Sequence, residues 1–378
     1  MANTLTNLIP VAYRALDVVS RELTGLIGAV NIDAASETIA KGQVIYSPVA
    51  PSNTTLGDIA VGMAVTANVG QTIGTKSLAI DNFKSVSFEW NAEEEFGVNT
   101  GARLENIMAD QMAQCFRVHA NAIELALCTA AKNCASRAIG TTAGTAPVLA
   151  DFANVKKILD DNGAPQSDRH VILDTTGGAA LRNTANLFQV YSSGDASMLR
   201  QGVLGNLYGM DIRESAGIQP VTAGTGSAYT TTAAGFAIGT TSIPLITGSN
   251  PILAGDIISF AGDTNRYVVT TGITAPGTIE IAAPGLRTTL SAATKAVTVL
   301  ATSTRNIALA RNAMTLATRL PKFQASDLAA DRYIVTDPRT GIAFEITMWP
   351  GQRMVKYEVS IAYGMSCIKP EHMAVIIG

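Results

Sequence analysis

The sequence predicts an α+β chain with a small all-β unit set into it. Three observations carry that expectation. One is a helical apolar stripe of about 32 residues in the first half of the chain. The second is a set of half-buried and fully apolar strands on either side of it. The third is a Thr- and Gly-rich segment, 224–302, that carries its own short strands. With 378 residues, 47% of them apolar, the chain has material for roughly two to three domains and a sizeable core.

Taken in order, residues 1–35 combine polar positions with Tyr13, Leu16, Val19 and Leu23 at helical spacing, which reads as an arm packed on something else. Residues 36–90 are an extended loop and its flanking strands. Pro48, Pro51, Gly57, Gly62, Gly70 and Gly74 punctuate short apolar stretches there. KSVSFEW alternates Val86, Phe88 and Trp90 against polar neighbours, as a strand with one buried face does. Residues 91–147 hold the long helix, expected from about Thr100 to Arg137. Leu104, Met108, Met112, Cys115, Phe116, His119, Ile123 and Leu127 recur every three or four residues. At 1.5 Å per residue such a helix is about 48 Å long, which suits the spine of a flat, elongated subunit.

Residues 148–223 read as mixed α/β. A helix through Leu149, Phe152, Val155, Ile158 and Leu159 stops at Asn162-Gly163, HVILD is a buried strand, and TTGGAALRN starts another helix. Residues 224–302 differ in composition, with 17 Thr, 10 Gly and six charged residues in 79 positions. Strands are expected at Ile243–Ile246, Ile257–Phe260, Tyr267–Thr271, Thr278–Ile281 and Val297–Leu300, with Gly255-Asp256 and Gly262-Asp263 as turns. That pattern predicts an inserted small β-barrel or sandwich. Residues 303–378 return to ordinary composition and end on the apolar run Met373–Ile377.

Several functions are disfavoured. No run approaches the ~18 apolar residues of a membrane span, and MANTLTNLIP lacks the pattern of a secretion signal. The net charge is −3, and no segment concentrates Lys or Arg, so tight DNA binding is not expected. Only 15% of residues are charged, against about 25% in an ordinary soluble domain, which favours a subunit largely covered by copies of itself. Cys115, Cys128, Cys134 and Cys367 have no zinc-finger spacing and read as reduced thiols. Cys115 and His119 share a helix face, but as part of its packing stripe. DTTGG at 174–178 fits a strand-to-helix turn better than an aspartic-protease turn. GTG at 224–226 lacks a dinucleotide-site context and marks a linker. Glu93-Glu94-Glu95 reads as a solvated turn or an inter-subunit partner. No GxSxG, P-loop or HExxH is present. No enzyme activity, catalytic residue, metal site or cofactor is expected.

The closing stretch YGMSCIKPEHMAVIIG places an aromatic-Gly turn, Tyr363-Gly364, then Lys369-Pro370-Glu371, before the final apolar strand. It resembles the closing strand of tailed-bacteriophage major capsid (coat) proteins. Lys369 stands where that family more often has Arg, and His372 where a small residue is common. DRHVILDTTGGAALR and LRQGVLGNLYGMDIRES are similar to the axial domain of the Hong Kong 97-like fold. AGDIISFAGDTNRYVV is similar to the insertion domain of the short-tailed Salmonella phage branch.

The resemblance implies an N-terminal arm (1–35), an extended loop (36–90), a peripheral domain with the spine helix (91–147) and an axial domain (148–223) interrupted by the insert (224–302). Residues 303–378 complete the axial and peripheral domains. It further implies a homo-oligomeric icosahedral shell of pentamers and hexamers, assembled in the host bacterial cytoplasm and forming the virion head around DNA. Contact with that DNA would be weak and non-specific. A separate scaffolding protein and a portal protein are the implied partners, a decoration protein is left open, and no membrane is involved. The rival readings are a bacterial encapsulating shell, a tail or decoration protein, and an enzyme with a β-barrel accessory domain.

Overall fold

The computed structural model describes residues 22–49, 73–99, 104–140, 144–184, 204–323, 329, 331–337 and 340–378. Tyr13, Leu16 and Val19 of the arm, the centre of the extended loop (50–72) and residues 185–203 lie outside the described residues.

The apolar stripe forms a helix from Leu104 to Cys134, 31 residues long. Met112, Phe116, Ile123, Leu127 and Ala131 on its inner face are fully buried. It ends short of Arg137 because Ser136 is captured by another part of the chain. The Ser136 amide and hydroxyl both donate to Met373 O, at 3.0 and 2.6 Å. Arg137–Ile139 then runs as a strand parallel to the closing strand Met373–Ile377.

The inner face of the helix lies on a six-stranded sheet. Its axis is the strand Met354–Cys367, paired along one edge with Asn82–Asn91. Along the other edge it pairs with Ala343–Gly351 and then with Met314–Pro321. Asp331–Thr336 and the parallel strand Asn31–Ile39 complete the sheet. Phe116 of the helix meets Phe344 of the sheet with ring centroids 5.3 Å apart. The alternation in KSVSFEW is realised here, with Phe88 stacked on Tyr357 at 5.2 Å.

Tyr363-Gly364 is not a turn. Both residues sit inside the strand Met354–Cys367. Gly364 is required for a different reason, a close approach: any β-carbon there would overlap the carbonyl of Ala79, where the hairpin Val44–Val49/Gly74–Ala79 joins the sheet.

The second sheet contains Met373–Ile377 in a central position, between Arg137–Ile139 and Ser303–Ala310. Arg169–Leu173 and Met210–Glu214 extend it outward. All five residues of the closing strand are buried, as expected of a continuous apolar run covered on both faces. The helix Leu149–Asp161 covers one face with Phe152, Val155 and Leu159. The Tyr208-Gly209 corner turns with both residues at positive φ, 53° and 77°, the geometry of a tight hairpin turn.

Residues 224–302 build a ring of short antiparallel strands. Thr230–Thr231 pairs with Ser242–Ile246, which pairs with Gly277–Ile281 and through it with Arg266–Thr271. Ile257–Phe260 and Val297–Val299 follow. A bridge between Thr230 and Ala296 closes the ring. Its interior is a separate apolar core that includes Tyr229, Ile243, Phe260, Val269 and Ile281. Arg266 and Tyr267 also pair with Ala138 and Arg137, so the ring hangs on the edge of the second sheet.

Gly364→Val is expected to lower the unfolding free energy by about 2 kcal/mol, because the added carbons overpack the hairpin junction. Urea denaturation followed by tryptophan fluorescence checks this.

Candidate assembly surfaces

The residues singled out for chemistry serve packing. His119 is buried, with Nε2 2.9 Å from Val359 O, and burial holds its pKa below the ordinary value. Burial pushes the Cys115 thiol up to about 11, so it is a protonated core residue at neutral pH. Asp174 of DTTGG caps the helix Thr175–Arg182, its oxygens accepting from Gly177 N at 2.9 Å and Thr176 N at 3.3 Å. Gly224 of the GTG lies against Asp256, whose carboxylate accepts its amide at 3.1 Å.

Glu93-Glu94-Glu95 forms the first turn of a short helix, Ala92–Asn99. Asn91 caps it by accepting from Glu93 N and Glu94 N, while Glu94 accepts from Asn91 N. The three acids therefore stand at the positive end of a helix and not in an unstructured turn. Among the described residues, no group of three or more His, Cys, Asp or Glu could hold a metal ion.

The surfaces with unspent binding capacity are elsewhere. The hairpin Val44–Val49/Gly74–Ala79 is a two-stranded ribbon with six paired positions in register. At its base Ile39, Leu78 and Ile80 are buried against Ala317 and Ala362. Gly42 N donates to Ile80 O, and Ile80 N donates to Gln43 O. Beyond the base the ribbon carries Tyr46 and Ile73 at 68% and 67% exposure. A two-stranded ribbon is marginal in water by itself. Laid on another surface, it covers its apolar side chains and its open edges.

An open groove of about 710 Å³ runs beneath the ribbon. Tyr46 and Lys76 line it on one side, and Asp33, Asp168 and Arg311 on the other. On the spine helix, Val118 and Leu125 point outward at 50% and 49% exposure. Glu22 is tied beside them by Arg117 at 2.6 Å and Asn121 at 2.5 Å.

Sequence reasoning missed the polar groups that organise these elements. Glu124, 1% exposed, accepts from the Gly25, Leu26 and Ile27 amides and from Ser215 Oγ. Arg305 is 2% exposed in the strand Ser303–Ala310, and its pKa is lowered to about 10 by burial, against the opposing effect of Asp256. For Glu124 the sequence carries one signal, an acid between Ile123 and Leu125 in a helical stripe, whereas Arg305 between Thr304 and Asn306 carries none.

No protein-family model matches the sequence, and no curated protein matches it. Solved structures do. The capsid of the cyanophage P-SCSP1u aligns with 94% of this chain and 88% of its own, at a TM-score of 0.50 and 12% identity. The capsid of a native GTA particle aligns with 95% of this chain and 91% of its own, at a TM-score of 0.50 and 10% identity. A virus-like particle from Pyrococcus furiosus aligns over 99% of both chains, at a TM-score of 0.45 and 7% identity. The chain thus has the fold of phage capsid subunits, the Hong Kong 97-like fold.

Burial holds His119, His170 and His372 all below the ordinary 6.5. An unfolded chain protonates these groups first as pH falls through that value, so the stability tied to their neutral forms is complete above about 6.5 and declines below it. The urea midpoint is expected to be lower at pH 5 than at pH 7.5, with His119→Phe reducing the difference.

Proposed function

We propose that this chain is the major capsid protein of a tailed bacteriophage, which self-assembles into the icosahedral head shell around DNA and performs no catalysis. One observation carries the reading above the others: the fold match to two capsid subunits spans nearly the whole chain. The surfaces agree with it. A ribbon with exposed Tyr46 and Ile73 gains burial by lying over a neighbouring subunit. Weak interfaces repeated around a closed shell add up to a stable particle, while each contact stays reversible enough for misplaced subunits to leave.

In this reading residues 1–35 are the arm, 36–90 the extended loop, 91–147 the peripheral domain with the spine helix, and 148–223 and 303–378 the parts of an axial domain. Residues 224–302 are an insertion domain that supports folding of that axial domain. The subunit occupies pentamers and hexamers alike, with strain between the two taken up at the joints that flank the ribbon and the spine helix. A separate scaffolding protein and a portal protein complete the assembly inside the bacterial cell, and the chain ends in the virion.

Co-expression with a candidate scaffolding protein, followed by negative-stain electron microscopy, tests the shell. Closed particles of uniform size are expected, and a persistent small oligomer would contradict the reading. Replacing residues 224–302 by a short linker is expected to cut the soluble yield severely. Wild-type yield of shells from that variant would remove the stabilising role of the insert.

A further inference from the structure

The groove beneath the ribbon and the acidic helix Ala92–Asn99 are opposite in charge. Within the described ribbon and its turn, residues 40–49 and 73–79, the charged residues are Lys41 and Lys76, both exposed, with no acid among them. Lys76 lines the groove together with apolar Ile45 and Leu78 of the ribbon, Ile368, and Arg311 on the far wall. Of the two acids in that lining, Asp33 is neutralised by Arg319 at 2.8 Å. Asp168 stands beside Arg311, whose amide donates to the Asp168 carbonyl at 3.0 Å. Lys41, Lys76 and Arg311 then stand against Asp168 alone, so the balance of charge is positive.

The helix has the reverse character. Glu93, Glu94 and Glu95 form its first turn, and it contains no basic residue. Phe96, the next residue, is 82% exposed, and an aromatic ring left in water forgoes the burial that drives association. The two surfaces cannot meet within one subunit. Asn91, which caps the helix, pairs with Met354 at the start of the long strand Met354–Cys367. Ile368, in the groove, directly follows the end of that strand. The strand has 14 residues, which separates its ends by about 43 Å at ~3.3 Å per residue.

We infer that the groove under the ribbon receives the helix Ala92–Asn99 of a second copy, with Phe96 entering its apolar part and the glutamates facing Lys76 and Arg311. The groove, of about 710 Å³, falls within the about 300–1,000 Å³ of pockets that enclose small ligands, so it has room for the ring and the carboxylates beside it. Burial of the ring supplies attraction. The opposed charges steer the approach and fix which way round the helix sits. A contact between unlike surfaces at opposite ends of a subunit runs head to tail, and it closes into a ring where the rotation between copies allows. The inference rests on the shell reading, because it names the surface on which the ribbon of one subunit meets the next. It also gives the acidic run Glu93–Glu95 a role that capping of its own helix does not require.

Zero-length cross-linking of the full-length chain tests this. Unlabelled and isotope-labelled chains are mixed under assembly conditions and treated with a carbodiimide, which joins a carboxylate to a lysine amine where the two touch. Peptide mapping is expected to show Lys76 joined to Glu93 or Glu95, in pairs that combine one labelled and one unlabelled peptide. Lys76 joined to no carboxylate, only to carboxylates of its own chain, or to a different carboxylate of a second copy would overturn the inference. Charge reversal gives a second readout. Lys76→Glu is expected to raise the concentration at half-association by at least about tenfold, because it sets like charges against each other. Adding Glu93→Lys and Glu95→Lys to that chain should recover most of the loss, and a combined variant no better than Lys76→Glu alone would contradict the pairing. Closed shells without the Lys76 coupling would remove this contact and leave the capsid reading standing. The coupling in oligomers that never close would keep the contact and remove the shell.

Discussion

The carboxylate of Glu124 is the point on which the arrangement of the subunit depends. It sits in the second half of the spine helix, 1% exposed. Oε1 accepts from Gly25 N at 2.8 Å and Leu26 N at 2.7 Å, and Oε2 accepts from Ile27 N at 2.9 Å. Ser215 Oγ donates to Oε1 at 2.6 Å. A buried carboxylate lacking such donors would cost several kcal/mol. Bonds to an ionised acceptor are roughly twice as strong as neutral ones. The helix can therefore bury this residue only if the Gly25–Ile27 segment and the loop after Met210–Glu214 both come to it. Two glycines make the approach possible. A β-carbon on Gly25 would lie 2.7 Å from Glu214 O, and one on Gly217 would lie 3.0 Å from Glu124 Cγ.

The same logic holds at the joint between the barrel and the second sheet. Asp256 is 1% exposed, accepts the amides of Gly224 and Leu253, and acts electrostatically on the buried Arg305. Strand pairing of Arg266 and Tyr267 with Ala138 and Arg137 adds a backbone connection to that electrostatic effect. The ring is attached by its side and by its ends.

The parts of this structure that were legible in the sequence are those written in local periodicity. The helical spacing from Leu104 to Leu127 and the apolar run Met373–Ile377 each predicted an element, because packing on one face or on both dictates the pattern. Short strands such as Ile257–Phe260 were legible from their flanking turn residues. What was not legible depends on distant partners. The helix ends at Cys134 because Met373 takes Ser136. Gly364 resembles a turn residue in sequence, yet it serves a close approach by Ala79. Glu93–Glu95 reads as a solvated turn until Asn91 is seen to cap a helix there. Glu124 gains meaning only from residues about 100 positions away.

The placement of the exposed ribbon follows from these constraints. Because Glu124 and the buried base at Ile80 fix the frame, the ribbon carrying Tyr46 projects from a rigid platform. The most direct test of that frame is amide hydrogen exchange on Glu124→Gln, which loses the charge and one acceptor oxygen while keeping the side-chain volume. Exchange at Gly25, Leu26 and Ile27 should become faster by at least tenfold while the spine helix stays protected. Unchanged protection at those three amides would contradict the organising role given to Glu124.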